Sequence, residues 1–477
     1  MTLSPAALAL LIALPWSLGA ALLLALGVRP RADRLAFAGH SWFAGALALA
    51  VLLHAWLLLG LPPARAPVVA TTVAAAALLA AIGARRGVAT DATASPPAAA
   101  PAAARARIPW LALAVVAALA LTADRIVHAN AVAVVMEDEA EIWAGKAKAL
   151  FVAGGFGARL GPLTADLSHA DYPPLDPLLQ LWTYVLAGRI VHVENRLPLQ
   201  WGAIAATLLL ASALRRRASP AVAAGLLLLW NAASETGETV RLANADGLVA
   251  FTLLGAADAW LRWSEGAGTG WWRAAAVELG ALVWAKNEGD LLLVVALAAG
   301  GVAIARDAAL RRRVRTLGRQ LLWLALPLLL VAVHVAINRR FGWRNDLVQP
   351  AGDVPPLWSG IVRRLDFASM ARITTAFARE LFFREDPTGR LVAGQACLVA
   401  AFLGPALLGA RAVWHDAASA VTLALLFGLA GFICVYAATP NDLEWQLRLS
   451  AHRVLYDLVP TAVLALGVGF GAREPAT

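Results

Sequence analysis

The sequence predicts an all-α, polytopic membrane protein, a bundle of about 13 transmembrane helices with amphipathic helices in its outer loops. Hydrophobic residues make up 60% of the 477 residues and charged residues only 15%, a surplus that a water-wetted surface could not carry. The apolar residues come in blocks, and arginines gather in short segments between the blocks. Only helices satisfy their own backbone polar groups in hydrocarbon, so each block is expected to be a helix.

Several apolar blocks have the length that a membrane span requires. They include residues 3–26, 36–61, 108–123 and 321–337. Each is close to the ~20 residues that cross ~30 Å of hydrocarbon. No Lys or Arg precedes the first block, so we expect a retained helix there and not a cleaved signal peptide.

The arginine-rich short segments predict which helix ends face the cytoplasm. They are residues 29–34, 85–107, 215–217, 262–273, 306–319, Arg411 and the tail after Gly471. Because these arginines flank apolar blocks, the net charge of +9 indicates contact with lipid headgroups, and no nucleic-acid partner is predicted. Alternation then places four polar stretches outside: 125–197, 231–245, 338–390 and 438–453. These stretches hold most of the acidic residues, so function is expected there.

The composition divides the chain into three parts. Residues 1–86 are expected to form three transmembrane helices with almost no buried charge. Residues 87–107 are a Pro/Ala-rich cytoplasmic linker without enough bulky apolar residues to fold alone. Residues 108–472 form the predicted membrane core and carry all the candidate chemistry.

An acidic segment follows the first helix of this core. Its acids are Glu137, Asp138, Glu139 and Glu141. Carboxyl groups crowded near a membrane repel one another and lose water, which raises their pKa toward that of a general base. In a helix over 138–151, Trp143, Ala147 and Leu150 would share one face, as in a helix lying flat on the membrane with Trp143 at the interface. A general base and a solvated acidic turn at a helix N-terminus are both compatible with this segment.

The segment HADYPPLDPLLQ, residues 169–180, offers a second group of polar side chains. Its three prolines restrict the backbone, so a rigid turn could present His169, Asp171 and Asp176 to a substrate. The same segment could begin a helix with Pro in its first turn.

No metal or other cofactor is predicted. The acids and histidines of the first outer stretch could supply ligands for a divalent cation, but their spacing matches no metal motif, so a metal is the minority alternative. Both cysteines, Cys397 and Cys434, lie within apolar blocks, and neither a disulfide framework nor a zinc site is expected.

The segment WAKNEGDLLLV, residues 284–294, interrupts an apolar stretch. Residues 274–305 start and end beside cytoplasmic arginines, which leaves room only for two short helical arms around the KNEG turn at 286–289. Lys286 beside a helix end at Gly289 suits a phosphate near the membrane surface. The alternative is a mutually satisfied pair of Lys286 and Glu288, since charges at such depth are functional or paired.

Two further outer segments combine apolar and basic residues. In 338–390, apolar residues at helical spacing indicate an interfacial amphipathic helix: Ile361, Leu365, Ile373, Phe377 and Leu381. Residues 439–460 re-enter the membrane with Arg448, His452 and Arg453 near the mouth. These side chains could hold a phosphate or extend to the headgroups.

The order of these motifs resembles a known family. The acid pair is followed by W-x-x-K-A (143–147), DYPPL (171–175), A-D (245–246), K-N-E-G (286–289) and W-x-L-x-x-S-x-x-R (445–453). This order resembles the bacterial GT-C glycosyltransferases, the ArnT-like and protein-mannosyltransferase-like membrane enzymes that use polyprenyl-phosphate sugars. The similarity covers roughly residues 108–472.

The resemblance implies an inverting sugar transfer at the periplasmic face of a bacterial inner membrane, from a polyprenyl-phosphate donor to a glycan, glycolipid or protein acceptor. Asp138, five residues before Trp143, would be the base, with Glu139 as second choice. The implied phosphate contacts are Lys286, Arg448 and Arg453. The residues implied to shape the site are Asp171, Tyr172, Asp246 and Glu288.

Three positions depart from the family pattern. Gln446 stands where a His is expected after the Trp, His452 where an acid commonly precedes the Arg, and Ala170 where a Pro is expected. These departures bear mainly on the phosphate contacts.

Two other classes of protein compete with this prediction. A transporter or flippase of an anionic lipid would carry charges at several depths, whereas the helices outside 274–305 carry few, such as Asp258 and His334. A membrane scaffold would lack clustered acids near the bilayer. A single cluster of acid, Lys and Arg at one outer surface favours the glycosyltransferase.

Overall fold

Helices make up nearly all of the structure, a computed structural model, as the sequence predicts. It describes residues 3–31, 33–91, 109–131, 138–242, 244–345, 362, 366–385, 391–393, 395–407, 414, 417–439 and 441–471. The strands in these ranges, β1 (Phe383–Glu385) and β2 (Leu391–Ala393), form one antiparallel hairpin.

The N-terminal part of the chain contains three helices, and the third continues beyond residue 86 into the predicted linker. They are α1 (Pro5–Leu26), α2 (Arg34–Leu58) and α3 (Arg65–Asp91). Ser4 caps α1 by accepting a hydrogen bond from the Ala7 amide at 3.2 Å. A Cβ at Gly45 would collide with the backbone of Pro15, so glycine lets α1 and α2 pack in close contact. Residues 92–107 of the predicted linker lie outside the described residues.

The remaining helices form the core and its outer connections. From residue 110 onward they are α4 (Trp110–Ala131), α5 (Ala144–Ala153), α6 (Leu160–Thr164), α7 (Leu175–Ala187), α8 (Leu197–Arg215), α9 (Pro220–Ala232), α10 (Ser234–Leu242), α11 (Ala245–Ser264), α12 (Thr269–Ala285) and α13 (Glu288–Arg306). They continue with α14 (Ala308–Leu317), α15 (Ala325–Phe341), α16 (Phe367–Phe382), α17 (Ala396–Leu407), α18 (Ala418–Ala438), α19 (Leu443–Tyr456) and α20 (Val459–Gly471). A π-helical turn, Asp138–Trp143, leads into α5.

Within the described residues, eight helical segments are long and apolar enough to cross a membrane. The number is ten if each of two bent pairs, α10 with α11 and α19 with α20, forms one span. This supports a multi-pass membrane protein, while the total of about 13 spans stays a prediction.

The prediction of two short arms around the KNEG turn is wrong. α12 has 17 residues and α13 has 19, so at 1.5 Å per residue they are ~26 and ~29 Å long, near the thickness of the hydrocarbon core. The prediction fails because Arg273 does not mark the start of a helix. It lies inside α12 and donates a hydrogen bond to the Leu26 carbonyl at 2.7 Å. The KNEG turn therefore lies at an end of the bundle and not halfway along it.

The core helices carry different side chains at their two ends. Asp246 begins α11, Lys286 follows α12 and Glu288 begins α13, so these residues lie at one end. Arg262 and Arg306 lie in the last turns of α11 and α13, at the opposite end. The acidic cluster and the arginine-rich segments are therefore separated by the length of the helices.

The helix over 138–151, in a segment predicted to lie outside, is present, but it packs on protein. Trp143, Ala147 and Leu150 are all buried, so the position of Trp143 at a membrane interface is contradicted. The reason is α7, whose residues from Leu175 to Leu186 are all buried and which packs against α5.

The second predicted amphipathic helix is present as α16. Its Ile373 and Phe377 are buried against the core, while Leu381 is only partly buried. Ile361 and Leu365 lie outside the described residues. The helical spacing of the apolar residues is therefore confirmed for the described half of the pattern.

A buried polar network joins α2 to α11 and α12. His40 lies 3.0 Å from Glu278 Oε1 through Nδ1 and 3.2 Å from Asp258 Oδ2 through Nε2. Arg262 donates to the same Asp258 oxygen at 2.5 Å and also contacts Asp33 at 3.3 Å. The expectation of almost no buried charge in residues 1–86 is therefore wrong at Asp33, and outside 274–305 the buried Arg262 adds to the expected Asp258. Asp258 pairs with Arg262 one turn along α11, whereas His40 and Glu278 reach the network from α2 and α12.

Candidate functional site

Four charged side chains from four segments meet at one end of the bundle. Lys286 Nζ lies 2.7 Å from Asp246 Oδ1 and 2.7 Å from Glu288 Oε1. Arg453 Nε, on α19, donates to Asp246 Oδ2 at 2.8 Å. Two cations and two carboxylates thus balance in charge. The predicted Lys286–Glu288 pair is present, and Asp246 is a further partner that the sequence pattern did not indicate.

The local sequence explains why these side chains converge. Asp246 lies in the first turn of α11, where the helix dipole favours a carboxylate. Lys286 has an extended backbone that ends α12. A Cβ at Gly289 would collide with the Leu282 carbonyl oxygen, so only glycine lets the first turn of α13 pack on the last turns of α12.

The turn at 169–172 is bound to the KNEG turn through Asp171. Its Oδ2 accepts hydrogen bonds from Asn287 Nδ2 at 2.9 Å and from Asn345 Nδ2 at 3.0 Å. Burial raises the pKa of Asp171, against the lowering effect of these hydrogen bonds. His169 has a φ of 52°, a left-handed conformation that is uncommon for a non-glycine residue and recurs at functional sites. The alternative of a helix start is confirmed, since α7 begins at Leu175 with Pro177 in its first turn. The preceding turn holds His169 and Asp171 but not Asp176, which lies buried in α7.

Lys146 stabilises the turn at 169–172 through hydrogen bonds to its backbone. It is 3% exposed, and its Nζ donates to the carbonyls of Ala170 at 2.7 Å and Tyr172 at 2.5 Å. Its ammonium also lies 4.5 Å from the centroid of the Trp343 ring. Burial lowers the pKa of Lys146 to about 7. The sequence pattern indicates Lys146 only as part of the W-x-x-K-A motif. Its contacts could not be predicted, because its acceptors are backbone carbonyls, which any residue type provides.

The acidic segment lies beside the cluster. Trp143 packs on Tyr172 at 5.2 Å between ring centroids, and Trp143 and Ile142 form an apolar group with Ala245, the neighbour of Asp246. The side chain of Asp138, the preferred base, and all of Glu137 lie outside the described part of the chain. The backbone turn that begins at Asp138 is nevertheless close to the cluster.

Glu139, the second candidate base, is held in a buried ion pair. Its Oε1 accepts a hydrogen bond from Arg196 Nε at 2.6 Å, with 4% and 0% of the two residues exposed. Burial raises the pKa of Glu139 to about 7, although the Arg196 guanidinium acts in the opposite direction.

A cavity of about 210 Å³ opens next to the cluster. Its polar lining includes Asp171, Asn287, Glu288, Asn345, Asn441 and Gln446. His169, Tyr172 and Tyr436 add rings, and residues such as Leu291 and Phe432 add an apolar wall. The described lining includes neither Lys286 nor Arg453, because both cations are directed at Asp246.

Other predicted residues lie apart from this site. Arg448 is exposed and about 140° around α19 from Arg453, so it faces away from the cluster. Asp176 is buried in α7, where its Oδ1 accepts from Gln180 at 2.8 Å. Within the described ranges, no three His, Cys, Asp or Glu side chains are grouped to hold a metal ion.

Comparisons with known proteins identify no relative of this chain. No protein-family model matches the chain, and neither a curated protein nor a solved structure is significantly similar to it. A function has to be inferred from the residues that meet beside this cavity.

Proposed function

We propose that the chain is an inverting glycosyltransferase that moves a sugar from a polyprenyl-phosphate donor to an acceptor hydroxyl at the outer face of a bacterial inner membrane. One observation carries the proposal. The acidic turn, the Asp246–Lys286–Glu288–Arg453 cluster and a cavity with polar and apolar walls all lie at one end of an apolar helix bundle, away from its arginine-rich end. A phosphoester with a lipid tail needs that combination of membrane depth, cations and a polar recess.

The proposed reaction assigns the base to Asp138. Its carboxylate accepts the proton of the acceptor hydroxyl, whose oxygen forms a bond to the anomeric carbon. The bond from that carbon to the donor phosphate oxygen breaks, and polyprenyl phosphate leaves with the electron pair. Glu139 is the weaker candidate, because its carboxylate is bound to Arg196 and is almost inaccessible.

Accessibility distinguishes the three proposed phosphate contacts. The side chain of Arg453 is 24% exposed, whereas Lys286 is 6% exposed between two carboxylates. We therefore assign the leaving phosphate to Arg453 and assign Lys286 to holding Asp246 and Glu288 in place. Arg448 faces away and suits a lipid headgroup instead.

A second candidate is a transporter or flippase of an anionic lipid or glycolipid. The buried network around His40, Asp258 and Glu278 favours it, because ionisable groups within membrane helices often mark proton or ion pathways. The two functions differ in their product, since only the enzyme makes a glycosidic bond.

The test of the enzyme is the variant Asp138→Asn. Loss of the base should lower sugar transfer from a polyprenyl phosphate by about 10²–10⁴-fold, measured with the purified protein and a radiolabelled donor. Glu141→Gln is the matched control, since Glu141 is an exposed acid of the same segment and should keep near wild-type activity. Full activity of folded Asp138→Asn would remove Asp138 as the base, and the absence of any glycosidic product from the wild type would favour the transporter.

A further inference from the structure

We infer that the cavity beside Asp171 receives an uncharged sugar ring and selects against sugars that carry a carboxylate or another anionic group. This inference rests on the proposed function and adds the chemical class of the transferred sugar. It depends on the identity of the lining side chains and on the direction in which the nearby cations point.

The polar lining suits a polyol. The amides of Asn287, Asn345 and Gln446 can each donate and accept hydrogen bonds, as sugar hydroxyls do. Asp171 is a carboxylate that accepts from two of these amides, which fixes the geometry of this wall. Rings such as Tyr172 and Tyr436 can pack on the C–H groups of a sugar.

Glu288 supplies an acceptor that still needs a donor. Its Oε1 contacts Lys286, whereas Oε2 is buried and has no hydrogen-bond partner among the described residues. A buried carboxylate oxygen without a donor is costly. A hydroxyl group of a bound sugar would donate to it, while a carboxylate on the ligand has no proton to give.

The charge of the lining opposes an anion. Asp171 and Glu288 both border the cavity, and its described lining contains no Lys or Arg. Lys286 and Arg453 are close but are bound to Asp246, outside the lining. An acidic sugar would therefore bring a third carboxylate beside Asp171 and Glu288, where Lys286 and Arg453 are already paired with carboxylates of the protein, which weakens binding.

The test compares two soluble probes that differ by one charge. Methyl β-glucoside and methyl β-glucuronoside are titrated against the wild-type protein in lipid nanodiscs, free of glycoside detergents, with binding followed by saturation-transfer NMR. The neutral glycoside should bind about tenfold or more tightly than the acidic one. Equal binding, tighter binding of the glucuronoside, or no binding of either probe would overturn the inference.

A variant of a lining residue tests whether the selectivity between the two probes arises in this cavity. Asp171→Asn should reduce the preference for the neutral probe, whereas Asp124→Asn, at an exposed acid on α4, should leave it unchanged. An unchanged preference in folded Asp171→Asn would also overturn the inference.

A parallel titration with polyprenyl phosphate separates the two proposals. Selective glycoside binding without lipid-phosphate binding would refute the glycosyltransferase and leave the sugar site standing, whereas lipid-phosphate binding without selectivity would refute only the inference.

Discussion

Burial divides the charged side chains of the site into two groups. Glu139 and Lys286 are nearly inaccessible, and each is bound to an oppositely charged partner. Removing one member of such a pair leaves an uncompensated buried charge, at a cost of about 3–5 kcal/mol. Arg453 keeps a partly exposed guanidinium and can gain a ligand without leaving Asp246. Buried pairs therefore set the geometry, and accessible groups are the ones that can meet a substrate.

The burial of Glu139, which outweighs its ion pair with Arg196, predicts a dependence of stability on pH. Burial raises the pKa of this carboxyl from 4.5 to about 7, so the folded state binds its proton more tightly than the unfolded state. The stabilisation that comes from binding this proton is fully present below pH 4.5 and is lost as pH rises to about 7. The free energy of unfolding should therefore fall across this window. Glu139→Gln should remove that part of the slope, measured by thermal unfolding from pH 4.5 to 7.

The readout is the slope and not the absolute stability, because Glu139→Gln also leaves Arg196 without its carboxylate. Glu141→Gln, at the exposed acid two residues away, should keep the wild-type slope. Identical slopes in Glu139→Gln and the wild type would show that this carboxyl does not titrate in the window.

At the level of elements, apolar runs predict where helices lie but not how their ends are used. The three N-terminal helices, the helical segment after 138 and the α16 pattern follow from composition and period alone. The depth of the KNEG turn does not, because an arginine can lie inside one helix and donate to a carbonyl at the end of another, as Arg273 of α12 does to Leu26 of α1. The burial of α7 could not be predicted either, since α7 packs on α1 and α2 as well as on α5, and contacts between segments so distant in sequence leave no local pattern. Motif order indicates Asp171, Asp246, Glu288 and Arg453 as candidate site residues, while their contacts with one another depend on helix packing that the sequence does not encode locally.

The contact of α12 with α13 predicts a requirement for glycine at 289. In Gly289→Ala the new methyl group would collide with the Leu282 carbonyl oxygen, and overpacking of this kind costs about 1–3 kcal/mol. The two helix ends would separate and move Lys286 from Asp246, so both the melting temperature and the transfer rate should fall. Gly301→Ala is the control on the same helix, because a Cβ there meets no atom within 4 Å. Its higher helix propensity should leave stability unchanged or raise it by up to about 1 kcal/mol. Equal melting temperatures for the two variants would show that the close contact at 289 does not exist.

In the whole molecule, the buried network around His40 holds the helices together, and the acidic cluster and the arginine-rich segments lie at opposite ends of the bundle. His40, Asp258 and Glu278 join the N-terminal helices to the core inside the arginine-rich half, so the first three helices are packed as part of the bundle. The opposite end holds the cluster and the cavity. A membrane with an anionic cytoplasmic surface would orient such a molecule with its arginines inside, which leaves the cluster outside.

This orientation is tested by cysteine labelling. In a background with Cys397 and Cys434 replaced by Ser, single cysteines are placed at the exposed positions Glu141, Arg448 and Arg312. A membrane-impermeant thiol reagent added to intact cells should label Glu141→Cys and Arg448→Cys, while Arg312→Cys, beside the cytoplasmic arginines, should react only after lysis. The reverse pattern would place the cluster in the cytoplasm, where a nucleotide-sugar donor would be the more accessible substrate, and the proposal of a polyprenyl-phosphate donor would fail. Labelling of all three in intact cells would mean that the two ends of the bundle share one side. The helices α12 and α13 would then have to lie along the membrane surface instead of crossing the membrane.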